Sequence, residues 1–221
     1  MTVVILRLLL VLTCSFSQIL LCASKPFLII LDPAGHAKST GRVLHQSYER
    51  AESLHCAQAL KQALENHENL RVIITRTPGD AVGSLQAASF ANRLSADLFI
   101  RIQLCKEGAD KPQLTVYHLA YDPVVDFAKR VAQPLTFTPL HQAHYGALHT
   151  SVAYGNDLLK KLRGHSSFDV AGLYGLPLKS LVGITAPALL LEISVPTRDD
   201  QWHVLIEALA QGIREIVSTH G

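Results

Sequence analysis

A carboxylate that follows a run of aliphatic side chains needs a partner, and Glu192 ends the stretch Ala188-Leu189-Leu190-Leu191. Burial strips hydration from a charged group, so a metal, a water, a backbone donor or a cation must stand beside it. Other positions also carry residue types suited to chemistry. His36 follows the apolar run Phe27-Leu28-Ile29-Ile30-Leu31 in a Pro/Gly turn, and Gln103 and Cys105 close the run that begins at Leu98. Glu49 sits seven residues before Cys56 and shares its inward helical stripe. Each has a plain structural account as well: a histidine in a turn is commonly a turn residue, and a glutamate near a helix start gains about 0.3–1 kcal/mol from the helix dipole.

These residues must be positioned by strands and helices that the pattern makes legible. Continuous apolar runs at Phe27 to Leu31, Leu70 to Thr75, Leu98 to Leu104, Leu114 to Leu119 and Ala188 to Ile193 predict strands, several of them buried on both faces. Helical spacing lies between them. Cys56, Leu60, Ala63 and Leu64 share one face; Ser84 is placed to cap a helix through Leu94; Val152, Leu159 and Leu162 form another stripe. The last helix puts Trp202, Leu205, Ile206, Leu209, Ile213 and Ile216 on one side. Strands alternating with helices predict one α/β domain, with a mostly parallel or mixed twisted sheet and helices on both faces. In such sheets ligands bind beyond the carboxyl ends of the strands, where His36, Gln103 and Glu192 fall. The stretch 122–150 is interrupted by Pro123, Pro134 and Pro139 while Val124, Ala128 and Val131 keep helical spacing, so it reads as a short helix and an irregular insertion.

The 221 residues, 48% hydrophobic and 17% charged, suffice for one well-buried core. A net charge of +2 with no run of Lys and Arg argues against a nucleic-acid partner. Residues 1–24 form a separate unit: Arg7, then apolar Leu8 to Cys22, then Ala23-Ser24-Lys25-Pro26. That is the pattern of an export signal, shorter than the roughly 20 residues of a bilayer span. An uncleaved membrane tether is the alternative; lipid attachment at Cys22 is disfavoured by the large Leu21 before it. Beyond this leader, residues 25–221 keep only Cys56 and Cys105, too few for a disulfide framework or a zinc finger.

Taken in order, Leu31-Asp32-Pro33-Ala34-Gly35-His36, Glu49-Arg50, Val72-Ile73-Ile74-Thr75-Arg76, Ala91 to Ile100, and Pro187-Ala188-Leu189-Leu190-Leu191-Glu192 closely resemble the zinc-dependent N-acetylmuramoyl-L-alanine amidases that trim bacterial cell wall. The resemblance runs from about Phe27 to the C-terminus. It implies zinc ligands at His36 and Glu49, a third ligand position at Gln103, and a catalytic glutamate at Glu192. The implied reaction is hydrolysis of the amide joining the lactyl group of N-acetylmuramic acid to L-alanine of the stem peptide, by zinc-activated water with Glu192 as general base. It further implies peptidoglycan as partner and no organic cofactor; the leader predicts an exported protein of the periplasm or cell envelope, and a monomer is expected.

The chain departs from that pattern at Gln103, where a neutral carboxamide, a poor zinc donor, replaces histidine. Arg101 shares the strand face of Gln103 at a spacing on the order of 7 Å, which would set a fixed cation near a dication. Cys105, on the same face, is the candidate substitute ligand, with His118, His141, His144 and His149 as others. The turn lacks one family glycine, and Ile193-Ser194 replaces the Gly-Phe that often follows the glutamate. The expected function is a peptidoglycan amidase. The alternatives are a catalytically silent relative that binds peptidoglycan or regulates a cell-wall partner, and a hydrolase of the same fold acting on another amide without zinc.

Overall fold

The computed structural model describes residues 25–66, 69–107, 110–120, 140–196 and 201–220. The leader (1–24) and the helix expected around Val124 to Val131 lie outside the described residues.

Apolar residues on both faces drive β1 (Phe27–Pro33) and β8 (Ala188–Val195) into the middle of a six-stranded sheet. The order is β4 (Leu70–Ile74), β1, β5 (Leu98–Lys106), β8, β6 (Gln113–Leu119), β7 (Asp169–Leu176). The first four strands run parallel; β6 lies antiparallel to β8 and parallel to β7, so the sheet is mixed. A two-stranded ribbon, β2 (Val43–Leu44) with β3 (Ser47–Tyr48), precedes the first helix.

Period-two alternation sorts the core into two layers. Ile29, Leu31, Ile100, Ile102, Leu189, Leu191 and Ile193 face α1 (Glu49–Glu65), α3 (Leu148–Leu162) and α4 (Ile206–His220). Leu28, Ile30, Phe99 and Leu190 face α2 (Ser84–Arg93), through Ala87, Ala88 and Ala91, and a short 3-10 turn at Lys179–Leu181. The small side chains of α2 allow it to sit close on the sheet. It covers only the amino-terminal half of its face; further along, the same face becomes polar at Asp32, Arg101, Gln103 and Glu192, which is where the site lies.

The five expected strands form, and the structure adds β7 and the β2–β3 ribbon. β7 is an edge strand carrying Gly172 and Gly175 and is largely exposed, so it lacks the apolar run that marks the others. Ser84 is not the cap of α2 but its first residue; Gly83 is the N-cap, and its N–H donates to Gln86 Oε1 at 2.8 Å. The last helical pattern is split into a 3-10 turn at Gln201–Leu205 and α4. Within the stretch read as an insertion, Leu140–Ala147 is 3-10 and Leu148 begins α3.

Candidate active site

The turn after β1 is held by side-chain hydrogen bonds to its backbone carbonyls. Arg76, buried two residues beyond β4, donates to Pro33 O at 3.2 Å, Ala34 O at 2.9 Å and Arg50 O at 2.7 Å, and Ser53 Oγ donates to Ala34 O at 2.7 Å. Burial lowers the Arg76 pKa, with Asp32 acting in the opposite sense. Gly35 takes φ +70°, and a Cβ there would meet Arg50 Cβ at 2.6 Å, so glycine is required where the turn crosses α1. His36 follows. Its N–H donates to Ser39 O at 2.8 Å, and its Nδ1 accepts from the Lys38 N–H at 3.2 Å. A donor on Nδ1 favours the tautomer with the proton on Nε2.

Glu49 opens α1 and is buried, at the positive end of the helix dipole. Its Oε2 accepts the Arg42 backbone N–H at 3.0 Å. Gly41 (φ +74°) passes so close that a Cβ would lie 2.6 Å from the same oxygen. The chain is thus bent over the carboxylate, and the bend launches the Arg42 side chain toward β8.

Register brings the strand residues together: Gln103 and Thr115 are the β5 and β6 partners of Glu192. The Glu192 side chain is 18% exposed, and donors meet both of its oxygens. Gln103 Nε2 donates to Oε2 at 2.6 Å, Arg42 Nη1 donates to the same oxygen at 3.1 Å, and Tyr117 Oη donates to Oε1 at 3.1 Å. Three donors offset the desolvation that the sequence foretold for this acid. Burial would lower the Arg42 pKa, but the Glu192 hydrogen bond and charge, with Glu49 nearby, raise it. Burial pushes the Tyr117 phenol up, and the Glu192 charge adds to the effect. Cys105 Sγ lies 3.2 Å from Ser194 Oγ, and burial pushes its thiol up as well.

Among the residues singled out from sequence, Glu192 and Gln103 are in contact, Cys105 lies on the same sheet face, and Glu49 is joined to Glu192 through Arg42. No hydrogen bond among the described residues joins His36 to Glu49 or Glu192. Arg101 shares the face of Gln103, as alternation requires, but turns to an ion pair with Asp32, which also accepts from Thr75 Oγ1 at 2.6 Å. His118 lies on the opposite face of β6, with its Nδ1 3.2 Å from Leu119 O. Sequence reasoning missed Arg42 and Tyr117. Alternation on β6 could have found Tyr117; nothing in the polar segment around Arg42 marks that residue.

The zinc implied by the family resemblance does not fit this arrangement. Among the described residues, no group of three His, Cys, Asp or Glu side chains could hold an ion. The Arg42 guanidinium already lies against Glu192, Gln103 presents its NH2 to the same carboxylate, and Cys105 Sγ is engaged with Ser194 Oγ at 3.2 Å.

A comparison with curated proteins found no match. Solved structures do match in fold. The catalytic domain of CwlV, an N-acetylmuramoyl-L-alanine amidase from Bacillus (Paenibacillus) polymyxa var. colistinus, superposes with a TM-score of 0.64 at 19% identity, covering 87% of this chain and 97% of that one. The N-acetylmuramoyl-L-alanine amidase AmiC2 of Nostoc punctiforme gives 0.60 at 18%, over 87% and 97%. An N-acetylmuramoyl-L-alanine amidase from Clostridium difficile 630 gives 0.59 at 18%, over 89% and 97%. The mixed six-stranded sheet is therefore the fold of these catalytic domains. The sequence profile described as N-acetylmuramoyl-L-alanine amidase matches residues 29–211, most of the chain and every strand of the sheet. The chain belongs to the N-acetylmuramoyl-L-alanine amidase family.

Proposed function

We propose that this chain is a peptidoglycan hydrolase that cleaves the amide between N-acetylmuramic acid and the L-alanine of the stem peptide, with Glu192 as the acid-base residue. The observation that carries this reading is a half-buried carboxylate on the central strand β8, at the open carboxyl end of the sheet, in a chain of this family. Such a carboxylate can take a proton from an attacking water and return it to the leaving amine. The polar end of the sheet beyond α2 would receive the lactyl carbonyl, with Tyr117 and Gln103 fixing the Glu192 oxygens. Family members are generally zinc-dependent, but among the described residues His36 and Glu49 belong to no group of three side chains that could hold an ion, and Gln103 donates to Glu192 instead. The test is release of stem peptides with free L-alanine amino termini from purified sacculi. Wild type should release them and Glu192→Gln should not; equal release by both would remove Glu192 from the chemistry.

A second reading draws on one observation: both Glu192 oxygens are already engaged by donors of the chain. A silent relative that binds peptidoglycan without cutting it would co-sediment with sacculi and release nothing.

Export to the periplasm or cell envelope fits this substrate, and the apolar leader at residues 1–24 supports it, either cleaved or kept as a membrane tether. Among the described residues no helix is long and apolar enough to cross a membrane.

A further inference from the structure

We infer that Arg42 is a built-in cation standing where the family would bind an ion, so that the wild-type site does not take up zinc. Among the described residues, Arg42 engages both carboxylates of the site: its backbone N–H donates to Glu49 Oε2 at 3.0 Å and its guanidinium Nη1 to Glu192 Oε2 at 3.1 Å. The path between them is enforced by Gly41, whose φ of +74° and contact with Glu49 leave no room for a side chain. Gln103 completes the exchange. A neutral amide that donates to Glu192 at 2.6 Å suits an acid already paired with a cation of the chain, whereas a dication would call for an electron-pair donor at that position. The neutral donor at position 103 and the guanidinium of Arg42 therefore act together on one carboxylate, in place of a metal-bound ligand set. Arg101, the cation expected to crowd the ion, is neutralised by Asp32 and plays no part in this.

Resting on the hydrolase reading, the substitution has a chemical consequence. Arg42 keeps further N–H donors beyond the one given to Glu192. Its side chain is 49% exposed, so these can face a substrate carbonyl. Water adds to the carbonyl carbon as Glu192 accepts its proton. The oxyanion formed is held by Arg42 N–H groups; it then collapses with cleavage of the C–N bond, and Glu192 returns the proton to the amine. The products are the lactyl carboxylic acid and the peptide amine, and no redox partner or co-reactant is consumed.

The test uses the full chain, stripped with chelator and titrated with zinc chloride, with bound zinc read by atomic absorption and calorimetry. Wild type should carry no stoichiometric zinc. Arg42→Ala combined with Gln103→His should gain one zinc per chain, with affinity raised at least about a hundredfold and lost again on adding His36→Ala. Arg42→Lys, which keeps the charge, should remain metal-free. Stoichiometric zinc on wild type, removed by His36→Ala, overturns the inference, and so does a folded double variant that binds none. The wild-type titration decides the matter even where the double variant does not fold. Sacculus digestion is run alongside. Release that stops with chelator and returns with zinc overturns the inference but leaves the hydrolase reading standing; a metal-free wild type that releases nothing under any condition supports the inference and overturns the hydrolase reading.

Discussion

Replacing Gln103 with leucine removes the shortest hydrogen bond at Glu192 while nearly preserving volume. The bond is 2.6 Å long and its acceptor is a carboxylate that is 18% exposed, so it belongs to the charge-assisted class worth about 1.5–3 kcal/mol. The Arg42 contact with the same oxygen is 3.1 Å, but with the Arg42 side chain 49% exposed solvent screens it to about 0.2–1 kcal/mol. Gln103→Leu should therefore destabilise the fold more than Arg42→Ala does, although the formal charge change lies with arginine. Urea unfolding at neutral pH reads this directly. With a slope of about 2 kcal/mol per molar, the Gln103→Leu midpoint should fall by about 1 M with the slope unchanged. In a Glu192→Gln background the acceptor is neutral, and the same substitution should cost only about 0.5–1.5 kcal/mol, giving a coupling of about 1 kcal/mol in a double-mutant cycle. A Gln103→Leu midpoint equal to wild type, or an Arg42→Ala loss larger than it, would refute the claim that Gln103 is the principal partner of Glu192.

Gly41→Ala should cost about 1–3 kcal/mol from the left-handed backbone alone, and the contact with Glu49 Oε2 should also displace that carboxylate; thermal unfolding and sacculus digestion would both register it. Arg76→Leu leaves three backbone carbonyls of the β1 turn and α1 without their cationic donor and should destabilise by on the order of 3 kcal/mol, with faster hydrogen exchange at the His36 and Ser39 amides. Burial pushes the Cys56 thiol from 9.0 up to about 12, so the folded state keeps a proton that the unfolded chain releases. That contribution is fully present below about pH 9 and is lost as pH rises toward about 12, so Cys56→Ala should flatten the alkaline fall in stability seen by chemical denaturation.

The sheet was legible because its strands are buried. Phe27 to Leu31 and Ala188 to Ile193 carry apolar side chains on both faces, which only an interior position in a covered sheet explains. β7 was not, because an edge strand with glycines at 172 and 175 has few apolar residues to bury and its pairing comes from tertiary context. In the site, Glu192 announced itself by the cost of placing an acid after aliphatic residues, and strand alternation put Gln103 and Cys105 on one face. Alternation also placed Arg101 there, but it could not reveal that Asp32, on the neighbouring strand, would claim that guanidinium. Arg42 was invisible for a different reason. It lies 150 positions from Glu192 in a segment without periodicity, and its reach depends on a positive φ at Gly41, which residue types alone do not specify.

The most direct measurement is stem-peptide release from sacculi by chelator-stripped wild type beside Glu192→Gln. The account predicts peptides with free L-alanine amino termini from wild type without added metal, and none from Glu192→Gln. Release that requires zinc, or no release at all, would contradict it.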